Sequence, residues 1–342
     1  MKKIRFLIFS FTLIIILLLA FVMYRRYTGI KVETGGKSRE LLIHTGADYE
    51  DVFFLIDSVA DIKNAKLFHL IAKKKNYTDH VRPGKYIIEP GMTYLKLIDI
   101  LRAGRQTPVN VTFNNIRTLN QLAGKVGHKL ETDSLKLIDF FNDESNYSVD
   151  GFNRATVISV FIPNTYQFYW STTADEFYHR MLKEYKSFWN SDRLARAAEK
   201  KLTPLEVSIL ASIVDDEVAK KDEKPRIAGV YLNRLKIGMP LQACPTIKFA
   251  LNDFTITRVL KKYLVVESPY NTYKYKGFPP GPVGCPSIEG LESVLNAEDH
   301  NFLYFAARAD FSGYHNFSRT LAEHNRYAAQ YQKELNKRKI FK

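Results

Sequence analysis

The N-terminal segment constrains the fold of this chain more than any other feature. Residues 6–24 read FLIFSFTLIIILLLAFVMY, an apolar run without a charged side chain. A helix of about nineteen such residues is long enough to cross the ~30 Å hydrocarbon core of a membrane. The run ends at Tyr24-Arg25-Arg26 without a small-x-small cleavage site, which disfavours a signal peptide. The sequence therefore predicts a cytoplasmic tail and an uncleaved anchor over residues 1–26, and the balanced flanking charges do not fix its orientation.

The rest of the chain has the composition of a globular protein. Of its 342 residues, 46% are hydrophobic and 13% aromatic, which argues against disorder. A polar, glycine-bearing linker is predicted over residues 27–37. Short strands and helices alternate over residues 38–114, which predicts a compact α+β module. We expect a helical connecting region over 115–200 and a mainly helical domain with long loops over 201–342, giving an α+β protein.

The positive charge of the chain suggests an acidic partner. The formal net charge is +14, and the candidates are a phospholipid surface, a polyanionic wall polymer or nucleic acid. No RNP-like, zinc-finger or helix-turn-helix signature accompanies the basic residues, so no nucleic acid is expected. A solvated basic surface is the simplest interpretation.

Metal and serine chemistry are both disfavoured. The only cysteines, Cys244 and Cys285, form no CxxC motif and have no histidine at ligand spacing. The eight histidines are scattered, and neither HExxH nor GxSxG occurs. We therefore expect no metal and no cofactor. The residues alone leave open whether the cysteines form a disulfide or stay free thiols.

A well-marked helix begins at Thr203. The stretch Thr203-Pro-Leu-Glu206 has the pattern of a capping box with proline at the first helical position. The apolar residues that follow continue to Val218 with helical spacing. The capping role accounts for Glu206, which leaves the acidic residues near the end of the helix to be explained.

Helical phase distinguishes one of those acidic residues. At about 100° per residue, Glu217 lies near the centre of the apolar stripe that contains Leu210. Asp215 and Asp216 fall outside the stripe and are interpreted as solvated. A carboxylate on the packed side of a helix has a raised pKa if it lies in a cleft, and can then act as a general acid. The alternative is a structural ion pair with a nearby Arg or Lys.

Polar side chains and rigid turns follow this helix. Amide and hydroxyl groups interleave with tyrosines and Pro-Gly turns, a composition that suits hydrogen bonding to sugars and stacking on their rings. The alternative is turn chemistry alone. The candidates among these groups are Asn233, Gln242, Thr246, Asn271 and Thr272.

The same segments resemble the YceG-like endolytic murein transglycosylases. Five motifs have the order and spacing of that family: LASIVDDE over 210–217, YLNRLKIGM over 231–239, LQACPT over 241–246, YNTY over 270–273 and GFPPG over 277–281. Weaker matches are Gly84-Lys-Tyr86 and Pro90-Gly-Met92 in the first module, which is LysM-like in that family, the loop 161–166, and Asn316-Phe with His324-Asn325. These motifs add Tyr273, Gly281 and Asn316 to the expected substrate-binding residues.

The resemblance implies a specific reaction. Members of the family cleave the MurNAc-(β1,4)-GlcNAc bond in nascent peptidoglycan strands, leave a 1,6-anhydro-MurNAc end and so terminate glycan elongation. The family's catalytic glutamate corresponds to Glu217, which would act as acid and then as base, with no second carboxylate and no cofactor. The resemblance also implies a single-pass protein of the cytoplasmic membrane with its catalytic domain on the outer side. Peptidoglycan strands and the membrane are then its partners, and wall synthases are candidates.

Two departures from the family pattern involve the cysteines. Cys244 stands where the family has Asp, and Cys285 replaces a residue that is commonly not cysteine; Val218 replaces a Thr. Both cysteines lie in segments expected to line the cleft of one domain. We therefore expect them to be close enough for a disulfide.

A different class of function fits the same segments. The chain could be a non-catalytic peptidoglycan-binding scaffold, in which the first module holds glycan and the C-terminal domain recruits wall synthases. The activity of a Glu217 variant separates the two functions.

Overall fold

The computed structural model describes residues 2–338 and is a mixed α+β structure, as predicted. Its helices are α1 Lys2–Gly29, α2 Tyr49–Val59, α3 Ala65–Lys74, α4 Tyr94–Ala103, α5 Leu119–Gly127, α6 Ser134–Asn142, α7 Ser145–Ser148, α8 Ala174–Phe188, α9 Ser191–Glu199, α10 Pro204–Glu217, α11 Lys224–Lys236, α12 Cys244–Ala250, α13 Ile288–Leu295 and α14 Leu321–Lys337. Its strands are β1 Arg39–Ile43, β2 Gly84–Ile88, β3 Val109–Phe113, β4 Asn164–Phe168, β5 Tyr304–Ala307 and β6 His315–Ser318. They form three two-stranded sheets, β1-β2, β3-β4 and β5-β6.

Helix α1 contains the apolar run. Residues Ile8–Gly29 are long and apolar enough to cross a membrane, with a mean hydropathy of 2.3. Large side chains along it, such as Ile14 and Phe21, are exposed. The helix is therefore one candidate membrane span.

The chain divides into two compact units, the first of which comprises residues up to 110 together with 129–132 and 167–172. Its elements follow the order β1-α2-α3-β2-α4, and β1 runs antiparallel to β2 with Leu41 opposite Tyr86. These two side chains are buried in one core with the inner faces of the helices. Local signals in the sequence define the helix ends: Asp48 caps α2 through a capping box, Thr93 caps α4, and Gly104 ends α4 with φ at 65°.

The segment predicted as a linker, 27–37, is partly packed into this first unit. Its first three residues continue α1, and the amide of Val32 donates to the carbonyl of Met92 at 2.9 Å. Glu33 forms a bridge with Asp61, and Val32 is buried. The polar composition hid this packing, which rests on the burial of Val32 and Thr34.

The second unit comprises residues 111–128, 133–166 and 173–342, of which those up to 338 are described. Helix α10 runs through its core against α9, α11, α12 and α13. Every residue from Val207 to Val214 is buried, including Ser208 and Ser212. At the C-terminal end, β5 pairs with β6, and α14 packs against both strands.

Three strands, β4, β5 and β6, occur where helix or loop was expected. The aromatic-rich stretch between helices, predicted as a loop, forms β4 and pairs with β3. Tyr166 and Phe168 of β4 are buried while their neighbours are exposed, which is the alternation of a half-buried strand. The C-terminal domain, predicted as mainly helical, also contains the β5-β6 pair. Residues 115–200 fall mostly in the same unit as the domain that follows them.

Candidate active site

Glu217 is the last residue of the central helix α10. The capping box at the other end is confirmed: the Glu206 amide donates to the Thr203 hydroxyl at 3.2 Å, and the Thr203 amide donates to the Glu206 carboxylate at 2.8 Å. The helix stops after Glu217 because Val218 is extended. A carboxylate at a helix C-terminus lies at the negative end of the helix dipole, which disfavours its charged form.

A buried tyrosine holds the Glu217 carboxylate in place. The hydroxyl of Tyr231 on α11 donates a hydrogen bond to Oε1 of Glu217 at 2.8 Å. Tyr231 is fully buried, and Glu217 itself is half-buried. The backbone amide of Cys244, at the start of α12, also interacts with this carboxylate. Three helices thus fix the position of one carboxyl group.

The environment keeps Glu217 protonated up to neutral pH. Burial is the largest influence and raises the pKa of Glu217 from 4.5 to about 7. The hydrogen bond from Tyr231 lowers this pKa, the charge of Asp216 raises it, and Lys248 lowers it. A carboxyl group with a pKa near 7 can donate a proton and accept one back under physiological conditions.

Two further side chains lie close to this carboxyl group. The sulphur of Cys244 lies 3.3 Å from the hydroxyl of Tyr273. Burial, followed by the nearby Glu217, raises the pKa of Cys244 to about 11, and burial raises that of Tyr273 as well. Both groups are therefore neutral at physiological pH and supply polar but uncharged surface beside Glu217.

The expected disulfide is absent, because Cys244 and Cys285 are both free thiols. Cys244 starts α12 and contacts Tyr273, whereas Cys285 is buried where its amide donates to the carbonyl of Ile116 at 2.7 Å. The two sulphurs thus belong to different surroundings of the same unit. This corrects the expectation that came from the position of both cysteines in cleft segments.

Asp215 is a structural residue rather than a solvated one. Its carboxylate pairs with the ammonium group of Lys224 at 2.8 Å. It also accepts hydrogen bonds from the amide of Ser287 at 2.7 Å and from its hydroxyl at 2.9 Å. Lys224 is only 9% exposed and is shared with Glu289 at 2.7 Å. This buried network ties α10 to the starts of α11 and α13.

Asp216 is also engaged by a specific partner. Its carboxylate forms an ion pair with Arg117, a residue that precedes α5. The guanidinium of Arg117 lies 4.9 Å from the ring centroid of Phe254. The two aspartates beside Glu217 therefore bind different cations. Of these three acidic residues, only Glu217 forms no ion pair with a described Lys or Arg.

Three of the expected substrate-binding residues are buried, Thr246 in α12 and Asn271 and Thr272 in the segment between α12 and α13. The Thr246 and Thr272 hydroxyls lie 2.8 Å apart, and the Thr272 hydroxyl accepts from the Ala243 amide at 3.0 Å. The side-chain amide of Asn271 donates to the carbonyls of Leu264 and Val266, each at 2.9 Å. These three side chains hold together the loops beside Glu217, so any effect on substrate is through the shape of those loops.

The other expected residues have different surroundings. The side-chain amide of Asn233 donates to the carbonyls of His300 and Phe302 and so braces α11. Gln242 is exposed and has a positive φ of 52°. A Cβ on Gly281 would lie 2.0 Å from the carbonyl oxygen of Ala155, so this position has room only for glycine.

Asn316 completes the expected set, in the middle of β6. It is half-buried and pairs with Ala306 of β5. Of the whole set, Tyr273 is the residue whose contacts place it beside Glu217, through Cys244.

Sequence reasoning missed two of the residues that tune the pKa of Glu217. Tyr231 lies in a matched motif but was not singled out, and Lys248 was not considered. Neither has a local spacing to Glu217 that a helix or strand pattern would show, because each reaches it through tertiary packing. Among the described residues, no group of three or more His, Cys, Asp or Glu side chains lies close enough to hold a metal ion.

Comparison with known proteins identifies the family. Residues 41–330 match the YceG-like family. The chain belongs to this family. The match covers most of both units and includes Glu217, Tyr231 and the loops around them, so the recognised resemblance is confirmed.

Similar proteins from other bacteria carry the name endolytic murein transglycosylase. A Bacillus subtilis protein named endolytic murein transglycosylase is 27% identical over 312 residues, covering 86% of this chain and 85% of that protein. A Streptococcus pneumoniae protein of the same name is 30% identical over 300 residues, covering 78% of this chain and 53% of its own length. The crystal structure of a YceG-like protein from Listeria monocytogenes has a TM-score of 0.56 and 25% identity, over 85% of this chain and 98% of that one.

Proposed function

We propose that this chain is an endolytic lytic transglycosylase. It cleaves MurNAc-(β1,4)-GlcNAc bonds within nascent peptidoglycan strands without water and leaves 1,6-anhydro-MurNAc ends, which terminates glycan elongation. The observation that carries the proposal is the half-buried carboxyl group of Glu217, with its pKa raised to about 7 and Tyr231 hydrogen-bonded to it at 2.8 Å. The names of the relatives supply the substrate class.

The first half of the reaction needs an acid. Burial keeps Glu217 protonated up to about pH 7, so its proton is available for the glycosidic oxygen as the C1–O bond breaks. The leaving GlcNAc then departs with a neutral hydroxyl. Tyr231 stabilises the carboxylate that forms, because its hydroxyl already donates to Oε1.

The second half needs a base at the same position. The C6 hydroxyl of MurNAc attacks C1 of its own ring, and the Glu217 carboxylate accepts the hydroxyl proton. The 1,6-anhydro bond forms as the proton returns to Glu217, so the enzyme finishes in its starting state. The electrons and atoms balance without water, metal or cofactor.

The neighbours of Glu217 favour this route over hydrolysis with two carboxylates. A retaining or inverting glycosidase uses a second carboxylate as nucleophile or base. Asp215 is bonded to Lys224 and Ser287, and Asp216 is paired with Arg117. Both carboxylates of α10 that could serve are thus held by other groups.

The first unit and the N-terminal helix extend the proposal. The order β1-α2-α3-β2 supports a LysM-like module that binds glycan, and Ile8–Gly29 supports a single-pass anchor in the cytoplasmic membrane. The catalytic domain over 201–342 would then act on the outer side of that membrane, near the wall synthases. Substrate-binding roles for Gln242 and Tyr273 belong to the same proposal.

Replacing Glu217 by glutamine tests the catalytic role. Glu217→Gln keeps the size and the hydrogen-bonding capacity of the side chain but cannot transfer a proton. We expect release of anhydro-ended fragments from uncross-linked glycan to fall by at least a thousandfold, the scale of losing an essential general acid and base. The matched control is Glu199→Gln, an exposed glutamate at the end of α9, which should keep full activity.

Wild-type rates in Glu217→Gln would contradict the catalytic assignment. If the wild-type chain binds glycan but releases no fragments, the non-catalytic scaffold is the better description. Binding and cleavage measured on the same strands therefore separate the two functions.

A further inference from the structure

A cavity of about 610 Å³ lies on the other side of α10 from the Glu217 carboxylate. Helix α10 contributes Ser212, Asp215 and Asp216 to its wall. At about 100° per residue, Ser212 and Asp215 lie roughly 140–160° around the helix from Glu217. The cavity is therefore separate from the carboxyl group that performs the proposed chemistry, although the same helix lines both.

Charges of both signs line this cavity. The charged lining residues are Arg117, Lys221, Lys224, Asp215, Asp216 and Glu289. Lys224 and Asp215 are buried against each other and form the structural network described above. The more accessible charges are Lys221, whose side chain is 82% exposed, and Glu289, 34% exposed. The ion pair between Lys221 and Glu289 can open for a ligand at low cost, since exposed ion pairs contribute little, while Glu289 stays paired with Lys224.

The lining excludes some ligands and suits others. None of the described residues that line the cavity is aromatic, so it offers no platform for stacking a sugar ring. Asn114 and Asn115 add exposed amides at the rim. In a ligand that suits this lining, a carboxylate would pair with the lining cations, an ammonium group with the anions, and peptide bonds with the asparagine amides.

We propose that this cavity binds a short peptide with a free carboxylate and a free ammonium group. The carboxylate faces Lys221, and the ammonium group faces Glu289. This inference rests on the proposed function, because the peptide that a peptidoglycan strand presents is the stem attached to its MurNAc residues. Recognition of the stem would then position the strand whose glycosidic bond reaches Glu217.

The reach of a stem peptide is sufficient for both contacts. Five extended residues span about 16 Å. The diameter of a helix with its side chains is about 10–12 Å.

Direct binding of a peptide tests the cavity independently of catalysis. The probe is a synthetic tetrapeptide with a free C-terminal carboxylate and a lysine side chain. The matched control peptide carries a C-terminal amide and an acetylated lysine. Titration of the full chain should give binding of the charged peptide and at least tenfold weaker binding of the blocked one; no binding, or equal binding of the two, would overturn the proposal.

Substitutions at the rim assign the binding to this cavity. Lys221→Glu and Asn115→Asp each place a negative charge where the carboxylate lies, and both side chains are exposed, so folding is preserved. Asn115 has a φ of 50°, which Asp tolerates. Each variant should lower the affinity for the charged peptide about tenfold. Lys236→Ala, at an exposed position on α11, should leave that affinity unchanged. Unchanged affinity in both rim variants would contradict the assignment.

Cleavage then shows what the cavity does for the enzyme. The wild-type KM for glycan with stem peptides should be about tenfold lower than for the same glycan stripped of them, and Lys221→Glu should bring this ratio close to one. Equal wild-type KM values would overturn the link between peptide binding and strand positioning. If the wild-type chain cleaves neither glycan, the proposed function fails. The peptide titration then still shows whether the cavity binds a peptide.

Discussion

The hydroxyl of Tyr231 donates a hydrogen bond to Oε1 of Glu217 at 2.8 Å and so joins the end of α10 to the middle of α11. The carboxyl group lies where burial favours its protonated form, and the tyrosine favours the charged form. These opposing influences give Glu217 a pKa of about 7, which suits a group that must first lose a proton and then regain it.

Tyr231→Phe should move the pH dependence of activity upward. The variant fills the same space but removes the donor that stabilises the carboxylate, so the pKa of Glu217 rises. A hydrogen bond to a charged group contributes about 1.5–3 kcal/mol, which corresponds to a shift of roughly one to two pH units. The measurement is kcat/KM for uncross-linked glycan as a function of pH, where activity falls as Glu217 loses its proton.

Tyr147→Phe is the control for that variant. The Tyr147 hydroxyl is likewise buried and donates to the carbonyl of Phe141 at 2.9 Å, away from Glu217. It should cost stability without moving the pH profile. A Tyr231→Phe profile that coincides with that of the wild type would contradict the account of how Glu217 is tuned.

Asp216→Asn should move the same profile in the opposite direction. The negative charge of Asp216 raises the pKa of Glu217, so neutralising it lowers that pKa. Activity should then decline at a lower pH than in the wild type. An upward shift would contradict this account of how Asp216 acts on Glu217.

Glu217→Gln should stabilise the protein at high pH but not at low pH. The folded pKa of about 7 exceeds the ordinary value of 4.5, so wild-type stability is fully present below about pH 4.5 and is lost as pH rises towards 7. Glutamine removes this loss, which is worth about 3 kcal/mol above pH 7. Denaturant unfolding at pH 4 and pH 8 measures the effect, and an equal difference at both pH values would contradict it.

Lys224→Met should destabilise the second unit strongly. Lys224 is buried between Asp215 and Glu289, and its removal leaves the Asp215 carboxylate without its cation. Breaking a buried pair in this way costs about 3–5 kcal/mol. Lys221→Met is the control, since it loses an ion pair with the same Glu289 from an exposed position and should change stability by less than about 1 kcal/mol. Equal unfolding midpoints for the two variants would contradict the role of Lys224.

Helical phase singled out Glu217 for reasons that were only partly right. The sequence suggested a helix with one apolar stripe, and Ser208 and Ser212 lie outside that stripe. Both serines are buried, because α10 is surrounded by other helices in the core. The capping box and the position of Glu217 at the helix end followed from local chemistry, and local chemistry is what a sequence pattern reports.

The partners of the acidic residues could not be predicted in the same way. Asp216 meets Arg117 and Asp215 meets Ser287, residues that are far away in the chain and brought together only by packing. Polar composition likewise suggested that Asn271 and Thr272 face the substrate, whereas their side chains are satisfied by neighbouring loop atoms. A list of polar residues does not show which side chains form hydrogen bonds with the protein's own backbone.

Cleavage in water enriched in heavy oxygen tests the central claim most directly. If Glu217 transfers the glycosidic bond to the C6 hydroxyl of the same MurNAc, mass spectrometry of the fragments should show 1,6-anhydro ends that are lighter than reducing ends by one water and carry no heavy oxygen. Reducing ends labelled with heavy oxygen would show that water attacks C1, and would contradict the non-hydrolytic mechanism.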